Sequence, residues 1–260
     1  MRRTDRPAVA WLDPRLPRAA VISTLRLSDP TAGVRPNRGA EGPRPDVQTV
    51  TEPTTDAAAL RAAVTRCRIA AERHRALLTH LDDALGDGDH GENLVIGFRA
   101  AEMHIAELPA ETRPGELLRA VGHRLVAAVG GASGPLYGTA FIEAGFVAGA
   151  ATVIDATTLA AMLTGATAGL ARRGRCSVGD KTILDTLAPA TAAFAAAIAR
   201  GSGASVAAGE MLTAAAAGMR STRPLVARRG LALRLGARSS GHLDPGAVSC
   251  FMLLRAIVGP

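Results

Sequence analysis

Aromatic residues make up only 3% of this 260-residue chain, and no alternating run of β-branched residues occurs along it. The usual signal for strands is therefore nearly absent. Cysteine is equally scarce: Cys67, Cys176 and Cys250 are odd in number and lack C-x-x-C spacing. They indicate neither a disulfide framework nor a zinc site, and a reducing cytoplasm is the expected compartment. No uninterrupted apolar stretch reaches the roughly 18–20 residues that a membrane span requires, and no signal-peptide layout opens the chain. No membrane association is expected.

What the chain has in abundance is alanine, the strongest helix former. Asp56 is placed to cap a helix whose apolar positions Leu60, Val64, Cys67, Ala71, Leu78, Leu81 and Leu85 recur at steps of three, four and seven. Leu94, Ile96, Phe98 and Met103 begin a second helix, and Leu117, Leu118, Val121, Leu125, Val126 and Val129 mark a third. Further helical segments read at about 139–150, 157–172, 182–199, 204–220 and 246–258. The expectation is an all-α domain of about eight helices over residues 56–260, with glycine-rich interruptions as its connecting loops.

Residues 1–55 differ in kind. They are rich in Pro and Arg, hold the single Trp and show no sustained apolar period, so a disordered basic extension is expected. The formal net charge of +7 and the pI near 10.7 would ordinarily suggest nucleic acid. Yet Arg2, Arg3, Arg6, Arg15, Arg18, Arg26, Arg35, Arg38 and Arg44 all lie in the extension, which leaves the helical part closer to neutral. Asp5, Asp13 and Asp29 interrupt the basic run, unlike a transit peptide. No nucleic-acid partner is expected.

The chemistry concentrates between the helices. In Leu81-Asp82-Asp83-Ala84-Leu85-Gly86-Asp87-Gly88-Asp89-His90-Gly91-Glu92-Asn93, three carboxylates stand around two glycines just before an apolar-periodic segment. If Asp82 ends a helix and the glycines fold the chain back, its carboxylate faces those of Asp87 and Asp89. Three anions so close repel unless a cation neutralises them. Oxygen ligands suit Mg²⁺, which completes its shell with water and substrate phosphate. The plain alternative is a solvated acidic turn. An EF-hand fails, since Gly91 falls where a ligand is needed and no Glu stands at the twelfth position from Asp87.

Three other loops carry signals of unequal strength. Gly130-Gly131-Ala132-Ser133-Gly134-Pro135-Leu136-Tyr137-Gly138 lets backbone N–H groups approach a phosphate at a helix start, although such loops are often only tight connections. Gly174 to Thr182 resembles a Walker A loop but has an extra residue before Lys181 and follows a helical segment rather than a strand. Lys181 is either a phosphate contact or a surface lysine near a helix start. Asp244 and Pro245 form a helix start, which leaves Arg238 and His242 beside them unexplained. His74, His80, His104 and His123 sit in helical segments without ligand spacing.

In order, the motifs Leu81-Asp82, Gly86-Asp87-Gly88-Asp89-His90-Gly91-x-Asn93, Gly130 to Gly138, Gly179-Asp180-Lys181-Thr182 and Gly241-His242-x-Asp244-Pro245-Gly246-Ala247 resemble the nucleotide-binding L subunit of dihydroxyacetone kinase, the DhaL or Dak2 domain. The likeness runs from about Asp56 to Val258. It implies an eight-helix antiparallel barrel whose loops at one end hold ADP or ATP through two Mg²⁺ ions. By the same resemblance Asp82, Asp87 and Asp89 are the metal ligands. His90, Gly91, Glu92 and Asn93 fall at the nucleotide phosphates, Ala132 and Ser133 are glycine-loop contacts, and Gly174, Ile183, Asp244, Pro245 and Gly246 line the rest of the nucleotide.

The family further implies a separate substrate-binding kinase subunit that holds dihydroxyacetone, and in part of the family a phosphotransferase-system phosphocarrier that recharges bound ADP. A homodimer is expected. No substrate domain is encoded in the chain, so little kinase activity is expected of it alone. Two alternatives use the same nucleotide site: a subunit of a kinase for a four-carbon ketose, and a nucleotide-loaded module that regulates a transcription factor. One departure stands out: where the family reads Gly-Arg-Ala-Ser, this chain reads Gly230-Leu231-Ala232-Leu233-Arg234. The expected arginine is Leu231, and Arg234 is the candidate to replace it.

Overall fold

The computed structural model describes residues 54–259, and the expectations for residues 1–53 and for Pro260 lie outside the described residues. Eight α-helices carry the described chain: α1 Ala57–Asp83, α2 His90–Ala106, α3 Pro114–Ala128, α4 Ser133–Ala148, α5 Ala156–Gly174, α6 Leu184–Ala199, α7 Ala204–Ser221 and α8 Pro245–Val258. A 3₁₀ segment, Leu231–Ser239, stands between α7 and α8 and was not anticipated by the sequence. No strand occurs among the described residues; the one β-bridge joins Thr55 to Ile154. Thr55, the last residue assigned to the extension, is therefore paired with the helical domain.

The helix starts follow from side-chain capping. Asp56 accepts the Ala59 N–H at 2.8 Å, Asp155 accepts that of Thr158 at 2.7 Å, and Asp244 accepts that of Ala247 at 2.7 Å with Pro245 in the first turn. Each satisfies a donor that the helix itself cannot. On α1 the buried positions Ala63, Val64, Cys67, Ala71, Leu78 and Asp82 share one face. The same periodicity that buries the apolar residues thus turns Asp82 inward at the last turn.

Each helix packs against the next in sequence, and α8 packs against α1, which closes the ring. Consecutive helices in such a ring alternate in direction. The connections α1–α2, α3–α4, α5–α6 and α7–α8 therefore all emerge at the same end. Those four connections hold the four motif-bearing segments of the sequence. Phe98 from α2, Phe194 from α6 and Phe251 from α8 are fully buried, each contributing on the order of 2–3 kcal/mol by burial.

Small residues set the closeness of α3 and α4. A Cβ on Gly122 would lie 2.6 Å from the Gly138 carbonyl oxygen, and one on Gly134 would lie 2.6 Å from that of Val129. Because α4 begins at Ser133, Gly134 and Gly138 belong to a helix contact and not to the loop in which the sequence places them. The shortened loop is Val129 to Ala132.

Candidate functional site: an acidic turn facing a glycine loop

Asp82 occupies the last turn of α1 and is 8% exposed. Its Oδ2 accepts the backbone N–H groups of Asp89 and His90, both at 3.1 Å. The chain doubles back to reach it through Gly86 and Gly88. A Cβ on Gly86 would stand 2.3 Å from Asp82 Oδ1, and Gly88 adopts φ +75°, where side-chain-bearing residues are strained. As a result Asp82, Asp87 and Asp89 each offer a carboxylate oxygen, and these oxygens lie within 4.8 Å of one another. Burial raises the Asp82 carboxyl pKa, the His90 N–H opposes the rise, and the neighbouring Asp87 and Asp89 charges add to it. A divalent cation would remove that repulsion, and an all-oxygen donor set suits Mg²⁺. Asp82 departs from the solvated-turn alternative, since its carboxylate is partly enclosed and held by two N–H groups, whereas Asp87 and Asp89 are exposed.

These carboxylates line a cavity of about 710 Å³. Facing them across it are Gly130, Gly131, Ala132 and Ser133 at the start of α4, with Gly174, Ile183, Asp244, Pro245 and Gly246 contributed by the α5–α6 and α7–α8 connections. Helix α4 has no side-chain cap, so its first-turn N–H groups remain for an anionic ligand.

His90 also lines the cavity but is enclosed, and its ring ties three helices together. Nδ1 lies 2.9 Å from Ser133 Oγ, and Nε2 lies 2.8 Å from Ser249 Oγ, which in turn is 2.7 Å from the Tyr137 hydroxyl. Burial pushes the imidazole down to about 4, so the ring is neutral at pH 7. It fixes the Ser133 hydroxyl and does not serve as a cation.

The other three residues of the expected phosphate run have surroundings of their own. A Cβ on Gly91 would stand 2.2 Å from the Arg75 carbonyl oxygen, so this glycine permits close packing of α2 on α1. Glu92 is exposed and pairs with Arg75 at 3.1 Å. Asn93 sits behind the glycine loop, its Oδ1 3.7 Å from the position a Gly130 Cβ would take. None of the three lines the cavity.

Lys181 is not a surface lysine, and although it stands among the residues lining the cavity, its ammonium is turned to backbone carbonyls. It is 1% exposed, holds φ +63°, and its Nζ donates to the carbonyl oxygens of Thr222 at 2.7 Å and His242. Burial lowers its pKa, while Asp244 and Asp185 act in the opposite sense. Asp244 opens partly onto the cavity, yet the atoms packed around its carboxyl push it up to about 7; the Ala247 N–H and the Lys181 charge pull the other way.

Several contributors carried no sequence signal. Asp185 is 1% exposed and accepts the N–H groups of Gly179 at 2.6 Å and Thr182 at 2.7 Å, which shapes the α5–α6 connection. Arg173 and Arg229 line the cavity together with Leu231 and Arg234. The wall thus carries both carboxylates and guanidinium groups.

Comparison with known proteins shows the family to which the chain is related. Residues 84–259 match the family model described as the DAK2 domain. The chain is 40% identical over 190 residues to a protein of Listeria innocua named as the ADP-binding subunit DhaL of PEP-dependent dihydroxyacetone kinase 2, covering 72% of this chain and 87% of that one. It is 34% identical over 196 residues to the Escherichia coli ADP-binding subunit DhaL of PEP-dependent dihydroxyacetone kinase, covering 75% of this chain and 92% of that one. Among solved structures, the C. freundii dihydroxyacetone kinase in complex with AMP-PNP and Mg²⁺ superposes with a TM-score of 0.59 at 25% identity, over 86% of this chain. The chain spans only 38% of that kinase. On these grounds the chain belongs to the DAK2 domain family.

Proposed function

We propose that this protein is the ADP/ATP-binding subunit of a dihydroxyacetone-type kinase, and that it presents the nucleotide to an acceptor held by a separate substrate-binding subunit. The observation that carries this reading is the set of three carboxylate oxygens within 4.8 Å, set in one cavity with the uncapped start of α4. Two relatives named as ADP-binding subunits and a similar kinase solved with AMP-PNP and Mg²⁺ support it.

Asp82, Asp87 and Asp89 would hold two divalent cations, which supply charge neutralisation for the phosphate chain. The chain's own residues do the rest by positioning. Ala132 and Ser133 offer backbone N–H groups to phosphate oxygens, with Ser133 oriented by the neutral His90 ring. Gly174, Ile183, Asp244, Pro245 and Gly246 line the remaining cavity. Phosphoryl transfer is largely positioning and electrostatic stabilisation, so such a subunit needs no nucleophile of its own.

The names of the two bacterial relatives, both PEP-dependent, favour recharging of bound ADP by a phosphocarrier over free exchange with ATP. A cytoplasmic setting suits that scheme, and no helix among the described residues is long and apolar enough to cross a membrane. The test is transfer to dihydroxyacetone with ATP or a phosphorylated phosphocarrier supplied as donor, first by the isolated chain and then with a substrate-binding subunit added. Turnover only in the second case supports the reading, and brisk turnover by the chain alone overturns it.

A further inference from the structure

The long connection between α7 and α8 leaves the ring at Thr222 and returns at Asp244, and the geometry points to Lys181 as the positioning residue that clamps this loop across the nucleotide cavity. This inference rests on the nucleotide reading of the cavity.

One buried ammonium holds both ends of the loop. Lys181 Nζ donates to the carbonyl oxygens of Thr222, where the loop leaves, and His242, where it returns. Beside it the Asp244 N–H donates to Thr222 Oγ1 at 3.1 Å, and the Gly241 N–H donates to the Arg223 carbonyl at 2.8 Å. The residue before Lys181 grips the same loop farther out. The Asp180 carbonyl accepts the Arg228 N–H at 3.1 Å, and its carboxylate pairs with Arg229 at 3.3 Å.

Beyond that grip the loop crosses to the acidic turn. Ala227, Ala232 and Leu235 pack on Leu85, which lies between Asp82 and Asp87 in sequence. Gly230, Leu231 and Arg234 thereby become cavity wall. An excursion of this length would ordinarily be among the easiest parts of a fold to open. A charge removed from water must be matched by polar partners, so opening the neck would strand the ammonium beneath it. The left-handed backbone at Lys181 points the same way, since such strain persists only where the surroundings impose it.

The test uses trypsin, because Arg228, Arg229, Arg234 and Arg238 all lie in the loop, whereas Arg223 precedes Pro224 and is not cut. In Lys181→Met, cleavage at these sites without nucleotide should accelerate by about tenfold or more relative to cleavage at Arg200. ADP should leave the Mg²⁺-loaded variant about tenfold faster, while Mn²⁺ affinity at the acidic turn stays as in the unaltered protein. Unchanged loop cleavage overturns the inference, and so does equal acceleration at every site, which would mark Lys181 as a general fold residue.

If Lys181→Met does not fold, native-state hydrogen exchange on the unaltered protein asks the same question. The amides of Arg228, Gly241 and Asp244 should open as one unit, and independent exchange overturns the clamp. Loss of the nucleotide reading would look different: Lys181→Met would still expose the loop, but ADP and Mg²⁺ would give the unaltered protein no protection from trypsin.

Discussion

The carboxylate of Asp82 accepts the backbone N–H of His90 at 3.1 Å, so the last turn of α1 caps the first turn of α2 with the same group that faces Asp87 and Asp89. The acidic turn is consequently both a helix junction and a candidate cation site. Its two duties separate by mutation.

Asp82→Asn keeps an oxygen for the two N–H groups and removes the charge. Cation affinity should fall by about 100-fold or more, beyond the 10–100-fold typical of losing an outer-shell partner. The metal-free protein should hold or gain stability, by about 1 kcal/mol, because a buried charge repelled by two neighbours is gone. Asp82→Ala should lose affinity and stability together. Calorimetry with Mn²⁺ and thermal melts of both variants check the split.

Gly86→Ala places a Cβ 2.3 Å from Asp82 Oδ1. The carboxylate can escape only by turning away from its two N–H donors. Cation affinity should drop by about 10–100-fold with helical content unchanged, since the clash is with a side chain and not with a neighbouring helix. Circular dichroism and Mn²⁺ titration together report this.

Much of this site was legible because its residues are close in sequence. Asp82, Gly86, Asp87 and Asp89 span a single helix-to-helix connection, so local spacing was enough to bring the carboxylates together. Helix α1 was legible for a related reason, as one apolar period carried both its core face and Asp82. What could not be read were roles set by distant chain. Gly134 and Gly138 look like loop glycines, yet they serve helix contacts, and Gly91 makes a further contact that only the ring of helices creates. Lys181 reads equally as a phosphate contact or a surface lysine, and its bonds to the distant Thr222 and His242 carbonyls carry no local signal. The 3₁₀ segment at 231–239 has no long apolar period of its own and is held by packing on Leu85.

Leu231 stands in the cavity wall where the family resemblance expects arginine, and it is 41% exposed. A charge-assisted contact to phosphate contributes about 1.5–3 kcal/mol. Leu231→Arg should therefore tighten ADP binding about tenfold to a hundredfold. Unchanged affinity would show that Arg173, Arg229 or Arg234, which line the same cavity, already supply that contact.

The His90 ring should remain neutral down to about pH 4. Its folded pKa lies below its unfolded value, so its contribution to stability is present above about pH 6.5 and is lost as pH falls through 4. Asp244 acts in the opposite direction. Its folded value of about 7 exceeds the unfolded one, so its contribution is present below about pH 4 and is lost as pH rises through 7. Between pH 4 and 6.5 the two linkages oppose each other and global stability should change little on their account. The ring must be followed by itself: its NMR shifts should stay constant from pH 7 to 5, and a midpoint near 6.5 would contradict the enclosed network with Ser133 and Ser249.

The most direct test of the whole account is calorimetric titration of ADP into the protein, with Mg²⁺ present and again after chelation. The account predicts one nucleotide per chain, bound with Mg²⁺ and lost with EDTA, and lost equally in Asp82→Asn. Binding that ignores the metal, or no nucleotide binding at all in saturating Mg²⁺, would contradict it.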